Sequence, residues 1–257
     1  MLKHVIDGQL ADPDRLGRLA TFNYGHFTSM QVRGGGVRGL DLHLARLYGA
    51  SRELFGEGLN PGRVVREVRA ALDGAPDAAV RVSVFPGEAG ADPIILVSVG
   101  PPEEDTGPPL RVRTRVHLRY LPHLKHVATL PLLDQRRRAR LDGFDDVLFV
   151  DGGGDVLEGS IWNLGAFDGD RVIWPEGPKL EGVTLQLVRQ GLASLGVPQT
   201  TRRLPAAELN PAMSAFTTYS LGAGRLIGSV DGTPLKMDEP VARLVAEAYA
   251  RHPFQPL

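Results

Sequence analysis

Leu121-Pro122-His123-Leu124-Lys125-His126 holds one of only four lysines in a chain that carries twenty-five arginines. Downstream come Glu158-Gly159-Ser160 and then Gly182-Val183-Thr184, which opens an apolar helical pattern. A scarce lysine, a carboxylate about thirty residues on and a glycine-led helix start can together hold an aldehyde cofactor that carries a phosphate. The lysine amine would bond the aldehyde carbon as an imine, the carboxylate would pair with a ring nitrogen, and the helix N-terminus would take the phosphate.

Working outward, the 257 residues are enough for one large domain or two modest ones. A formal net charge of -1 gives no global field toward nucleic acid or an anionic membrane. No apolar run reaches the roughly 20 residues a bilayer span needs, and the start, Met1 to Asp7, lacks a signal-like apolar stretch. The chain has no cysteine, which excludes disulfides, zinc-thiolate sites, iron–sulfur clusters and a thiol nucleophile. Glycine and proline make up about a fifth of the residues and are scattered as turn punctuation. The expectation is a soluble, cytoplasmic, globular protein.

The pattern predicts a strand over Phe27–Val32, a Gly34-Gly35-Gly36 turn and a return over Val37–Leu40. Asp41 would cap a helix ending at Phe55, with Gly56 as its stop, and Pro61 would open a second helix running to Leu72. Ala79–Phe85 and Ile94–Val99 form a hairpin across Pro86-Gly87 and Gly90. Gly100 to Pro109 is a linker rich in proline and acid, so the division falls at 1–105 and 106–257, the second part carrying the lysine. Arg111–Arg119 alternates strictly, as in a half-buried strand. Leu132–Leu141 is a basic-faced helix, and Asp146–Val150 and Val156–Glu158 are strands. Asn163–Phe167 and Arg171–Trp174 flank a hairpin turn, Val183–Leu195 is helical, Ala215–Tyr219 and Arg225–Val230 are strands, and Glu239–Ala250 is a last helix. The balance is α+β, without the even alternation of a doubly wound sheet.

Each chemical reading has an ordinary one beside it. Lys125 is an amine whose pKa burial or neighbouring cations would lower, or a solvated lysine at a helix entrance. Glu158 is a ring-nitrogen carboxylate or a turn acid. Val183 and Thr184 offer an anion site or a plain helix cap. Arg46, in His43-Leu44-Ala45-Arg46-Leu47, gives a planar fork for phosphate or lies on a surface. Arg113 is a candidate for a substrate carboxylate, or part of a basic face guarding an edge strand. Arg136-Arg137-Arg138-Ala139-Arg140 is a solvated helix face in preference to a nucleic-acid patch, and His123, His126 and Asp134 match no metal motif.

Taken in order, these segments together with the hydroxyl-rich Thr217-Thr218-Tyr219-Ser220 resemble the fold-type IV pyridoxal-phosphate enzymes, the class IV aminotransferases. That group includes branched-chain and D-amino-acid aminotransferases and 4-amino-4-deoxychorismate lyase. The resemblance runs from about Asn23 to Gly232. It implies two α/β domains, small then larger, with pyridoxal 5'-phosphate in a cleft between them, in a homodimer. It implies Lys125 as the imine lysine and Glu158 as the ring-nitrogen carboxylate. Arg46, Val183, Thr184 and Ser220 would contact the phosphate, Val183 through its backbone N–H. The substrates would be a small amino acid and an oxo acid, with no nucleic acid and no membrane as partner.

Departures from the family pattern mark the substrate side. The usual Gly-Asp-Gly before the first-strand aromatic is Asn23-Tyr24-Gly25-His26-Phe27 here, and the acid after it is Thr28. Leu130 stands where branched-chain enzymes carry tyrosine, Trp162 replaces a small residue, and Tyr219 is large for the phosphate loop. Tyr24, His26, Ser29, Arg113, Trp162 and Tyr219 are therefore the expected substrate-facing residues. The Thr28-Ser29 hydroxyl pair and the Leu-Lys-His run point to the lyase as alternative, Thr28 then delivering a proton. Transamination, with Lys125 moving the Cα proton, is the primary reading.

Overall fold

Turn chemistry and pairing register set the element boundaries. The computed structural model describes residues 2–88 and 92–257, so Gly90, expected in a hairpin turn, lies outside the described residues. The chain runs β1 (Lys3–Ile6), β2 (Gln9–Leu10), α1 (Pro13–Ala20), β3 (His26–Arg33), β4 (Gly36–Arg38), α2 (Leu40–Phe55), α3 (Pro61–Leu72), β5 (Ala78–Phe85), β6 (Ile94–Gly100) and β7 (Leu110–Val116). It continues through α4 (Leu130–Leu141), β8 (Asp146–Val150), β9 (Val156–Gly159), β10 (Asn163–Phe167), β11 (Val172–Pro175), α5 (Val183–Ser194), β12 (Gln199–Arg202), β13 (Ser214–Tyr219), β14 (Gly222–Val230), β15 (Thr233–Pro234), α6 (Glu239–Ala250) and β16 (Phe254–Pro256).

Two units result. The first holds the residues up to Glu103, the strip Leu124–Ala128 and the tail Pro253–Leu257; the second holds Glu104–His123 and Thr129–His252. The sequence reading kept 106–257 together. The strip departs from that because its backbone pairs with β3: the Phe27 amide donates to the Lys125 carbonyl at 2.9 Å, and the Val127 amide to the Gly25 carbonyl at 2.9 Å. Lys125 is thereby fixed beside the start of β3 in the first unit.

The first unit is a seven-stranded sheet in the order β16-β4-β3-β5-β6-β1-β2, with antiparallel pairing throughout. Valines and isoleucines on one face of β3, β5 and β6 pack with Leu47 of α2 and with Val64 and Val68 of α3. The two-residue period of β3 sends His26, Thr28, Met30 and Val32 toward these helices and turns Phe27, Ser29 and Gln31 the other way. The cap of α2 differs from expectation. Gly39, at φ 66° in the left-handed region, is the N-cap, and Asp41 becomes a first-turn acid on the positive end of the helix.

The second unit is a nine-stranded sheet, β12-β11-β10-β13-β14-β7-β8-β9, with β15 on β14. It is parallel at β11–β12, β14–β7 and β7–β8, and antiparallel elsewhere. α5 and α6 cover Trp174 and Phe216 on one face, and Trp162, Leu164 and Ile227 fill the other. β7 stops at Val116, short of the expected Arg119, and it is flanked on both sides, so it is not an edge. Its alternation buries Val112 but leaves Val116 73% and Leu118 57% exposed. Curled sheets and helices together make the fold α+β, as the sequence indicated.

Candidate active site

In the first unit, Lys125 Nζ lies 4.8 Å from the centre of the Phe27 ring. The Arg81 guanidinium stands 3.6 Å from the same ring centre, and its Nε donates to Ser83 Oγ at 3.3 Å. Arg81 has no acidic partner among the described residues, and burial lowers its pKa. Ser29 shares this face, being paired opposite Arg81 in the ladder. The sequence reading did not single out Arg81. Its signal was a lone cation in the apolar run Ala79–Phe85, on the face that Phe27 also uses.

On the other face of β3, Arg46 of α2 donates through Nη2 to Thr28 Oγ1, and the same nitrogen is 3.3 Å from His43 Nδ1. Thr28 Oγ1 is 2.6 Å from that Nδ1. No acid among the described residues pairs with Arg46, its Nε is buried without a hydrogen-bond partner, and burial lowers its pKa to about 10. His43 is held well below the usual histidine range by burial, then by the charges of Arg46 and Lys125. His26, 1% exposed, shares a hydrogen with Ser51 Oγ at 2.9 Å, and burial followed by the Arg46 charge lowers it to about 4. Tyr24 donates its hydroxyl to the Leu54 carbonyl and packs edge-on against Phe55. Gly25 tolerates no side chain, because a Cβ would stand 2.6 Å from the Val84 carbonyl.

In the second unit, Glu158 ends β9 as a buried carboxylate. Arg119 Nη1 is 3.3 Å from its Oε1, and the Leu180 amide donates to Oε2 at 3.2 Å. The Leu180 carbonyl accepts from Asn163 Nδ2 at 2.8 Å. Asn163 Oδ1 occupies the space a Cβ on Gly182 would need, so glycine there lets the start of α5 close on β10. α5 begins with no side-chain cap and no acid in its first turn, which leaves the first amides as donors at the positive end of the dipole. Thr184 gives its hydroxyl proton to the Tyr219 carbonyl at 2.8 Å. Ser220 follows in the turn between β13 and β14. The hydroxyls of Ser160, Thr217 and Thr218 are buried without hydrogen-bond partners.

Contacts join Glu158 to Leu180, Leu180 to Asn163 and Asn163 to Gly182, and the helix that follows Gly182 joins Tyr219 through Thr184. In the first unit Lys125 lies by Phe27 on one face of β3, and Thr28 and Arg46 lie on the other. Three expected substrate residues go elsewhere. Trp162 is 5% exposed, packs against Gly159 in the core, and points Nε1 at Asp146 Oδ2, 3.2 Å away. Its bulk packs in the core with Leu164 and Ile227. Arg113 and Arg115 share one carboxylate oxygen of Asp142, at 2.9 and 2.8 Å, so Arg113 is already engaged by an acid, although the trio keeps a net positive charge. The Tyr219 hydroxyl bonds with Asp105 and Arg225, and burial followed by the Asp105 contact raises its pKa. The basic helix face is also largely paired: Arg136 with Asp146 at 3.3 Å, Arg138 with Asp134 at 2.7 Å, and Arg140 with the Asp145 carbonyl at 3.2 Å. No cluster suited to a metal ion occurs among the described residues.

The curled sheets and the lysine–carboxylate pattern define a fold-type IV enzyme of the aminotransferase kind. Residues 25–230 match the profile of amino-transferase class IV, and the chain belongs to that family. Pyridoxal 5'-phosphate is its cofactor. Branched-chain-amino-acid aminotransferase 1, mitochondrial, of Arabidopsis thaliana is 31% identical over 104 residues, which is 39% of this chain and 27% of the plant protein. The match thus spans about a quarter of that relative's length. Among solved structures, a hypothetical aminotransferase from Mycobacterium tuberculosis in its apo form superposes with a TM-score of 0.83 at 24% identity, covering 98% of this chain and 99% of that one. The branched-chain aminotransferase of Thermoproteus uzoniensis with norvaline gives 0.83 at 21% identity, covering 97% and 93%. The fold IV transaminase CpuTA1 of Curtobacterium pusillum gives 0.82 at 22%, covering 98% and 100%. At these identities the structural likeness is one of fold.

Proposed function

We propose that this chain transfers an amino group between an amino acid and a 2-oxo acid, with Lys125 as the amine that anchors the cofactor. The residues fit the group. Arg46, with no acid opposite it and an unpartnered buried Nε, suits a phosphate, as do the uncapped amides of Val183 and Thr184 and the Ser220 hydroxyl. Glu158, buried and held from both oxygens, suits a protonated ring nitrogen. The observation that carries the reading is the contact run from Glu158 through Leu180 and Asn163 to Thr184, which ties carboxylate and helix start into one rigid support.

When bound, pyridoxal phosphate supplies the electron sink that makes a bond at the substrate Cα labile. Lys125 Nζ, beside the apolar Phe27 ring, would take the proton from the substrate Cα and deliver it to the cofactor's C4′ carbon. Arg81, unpaired with any acid among the described residues, replaces Arg113 as the cation for a substrate carboxylate. The lyase alternative needs a free hydroxyl from the Thr28-Ser29 pair. Those side chains leave β3 on opposite faces; Thr28 is committed to Arg46 and His43, which argues against Thr28 as the proton donor and leaves Ser29, on the Phe27 face, for that role.

The purified protein is expected to be yellow, and borohydride should fix the cofactor on Lys125, read by peptide mass. Panels of L- and D-amino acids without an oxo acid should then convert the spectrum to that of the pyridoxamine form. A colourless protein that ignores added pyridoxal phosphate overturns the reading, and pyruvate release from aminodeoxychorismate without that conversion favours the lyase. A second copy of the chain is the natural cover for Val116, Leu118, Tyr120, Leu130 and Leu141, all well exposed in the second unit. Sedimentation should therefore give a homodimer. No helix among the described residues is long and apolar enough to cross a membrane, and a cytoplasmic setting is part of this proposal.

A further inference from the structure

Arginine can only donate hydrogen bonds, so the Arg46–Thr28 contact makes the Thr28 oxygen an acceptor. Threonine has a single O–H, and the atom 2.6 Å away on its other side is His43 Nδ1. Arg46 Nη2 also approaches that nitrogen, at 3.3 Å. Two donors converge on Nδ1, and only an unprotonated nitrogen satisfies both. The ring is then neutral, with its proton on Nε2. His43 and Arg46 lie three residues apart on α2, so they share a helix face, and Thr28, 0% exposed, closes the triangle from β3. Arg46 Nη2 is spent in this triangle, while Nε and Nη1 have no hydrogen-bond partner among the described residues. A guanidinium on a flexible stem, with no carboxylate to hold it, would otherwise sample several rotamers.

We propose that His43 is a positioning residue for the phosphate end of the cofactor: as an Nδ1 acceptor it orients the Thr28 hydroxyl, and Thr28 in turn fixes Arg46 with its unspent N–H groups available to the anion. The inference rests on the reading that Arg46 holds phosphate. His43 touches neither the reacting atoms nor the substrate in this scheme. It acts through Thr28, and its effect is confined to ligands that carry the phosphate.

The test compares pyridoxal phosphate with pyridoxal, which lacks the phosphate, binding to protein stripped of cofactor. His43→Leu should weaken pyridoxal phosphate about tenfold and leave pyridoxal unchanged, while His43→Asn, whose amide oxygen can accept, should recover most of the loss. Thr28→Val should show the same selective loss, and the double variant should lose no more than either single one. In the stripped wild-type protein, nitrogen-15 shifts of His43 should show a bare Nδ1 and a protonated Nε2. Equal weakening of both ligands, no weakening of either, or a protonated Nδ1 overturns the proposal. Arg46→Met separates the two levels: if it too spares the preference for the phosphate-bearing ligand, the phosphate reading of Arg46 fails. If it abolishes that preference while His43→Leu does not, only the role of His43 fails.

Discussion

Arg81 and Arg113 are the same residue in two strands of alternating pattern, and their neighbours set them apart. Asp142, twenty-nine positions downstream, pairs with Arg113, whereas among the described residues Ser83 and the Phe27 ring engage Arg81. Local sequence holds no record of which acid folds back onto which arginine, so the charge pattern was legible and its use was not. Lys125, Glu158 and Arg46 stand out in the sequence because their chemistry is scarce or ordered along the chain. For Trp162, bulk alone holds no record of the direction in which the ring packs. Arg81→Ala should raise KM for the amino acid about 10–100-fold, the worth of a charge-assisted pair to a carboxylate. Arg113→Ala should stay within about twofold, as expected for an exposed ion pair; steady-state kinetics on both variants decides between the two arginines. His26 gives a pH prediction. Burial lowers its folded pKa to about 4 against an ordinary 6.5, so the unfolded chain binds the extra proton. Stability from this group is complete above pH 6.5 and is lost as pH falls toward 4, by about 1 kcal/mol between pH 7.5 and 5.5. His43 acts with the same sign. Urea melts at those two pH values should show the loss, and His26→Asn, which keeps a partner for Ser51, should shrink it.

Helices announced themselves where caps and stops agreed. α5 starts at Val183 and is followed by Gly196, as read, and α3 starts at Pro61 with Asn60 accepting from the Arg63 amide. α1 was missed although Asp12-Pro13 is a sound start signal: it is only eight residues long, and its apolar face, Leu16, Leu19 and Ala20, buries no side chain. β12, β15 and β16 were missed for a different reason. They are two to four residues long; β12 and β16 are created by partners elsewhere in the chain, while β15 is the two-residue return of a hairpin with β14 across Asp231-Gly232. The crossing of α5 and α6 was equally silent. Gly191 faces the Ala248 carbonyl so closely that a Cβ would overlap it, and nothing in Leu185–Leu195 marks that glycine from an ordinary helix interruption. Alanine is the better helix former, worth about 1 kcal/mol over glycine in an open helix. Here Gly191→Ala should instead destabilise by about 1–3 kcal/mol, the usual cost of overpacking. A lower denaturant midpoint with an unchanged slope would show it; a raised midpoint would mean that the helices part at no cost.

At the scale of the whole chain, the linker was read from composition, and Glu103 indeed ends the first continuous stretch of the first unit. Two short returns to that unit were beyond composition. The strip Leu124–Ala128 adds backbone pairing to the start of β3, and the tail adds β16 along β4. Leu257 reaches the helix-covered core, and Arg69 donates to its carbonyl. Such long-range closures leave no periodic trace, since a five-residue strip of bends with a single bridge and a three-residue strand are too short to show one. They do have a consequence for folding. A fragment of residues 1–103 would lack the strip, leaving the first amides of β3 without their partners, and would open the sheet edge and core position that β16 and Leu257 fill. Loss of a buried leucine costs about 2–5 kcal/mol on its own, against a total of about 5–15 kcal/mol for a typical protein. The fragment should therefore melt without a cooperative transition, while the full chain melts sharply. A variant ending at His252 should fall between them, with a transition that survives at a lower midpoint. Circular dichroism on the three chains measures this, and a cooperative melt from residues 1–103 would show that the first unit closes without its distant segments.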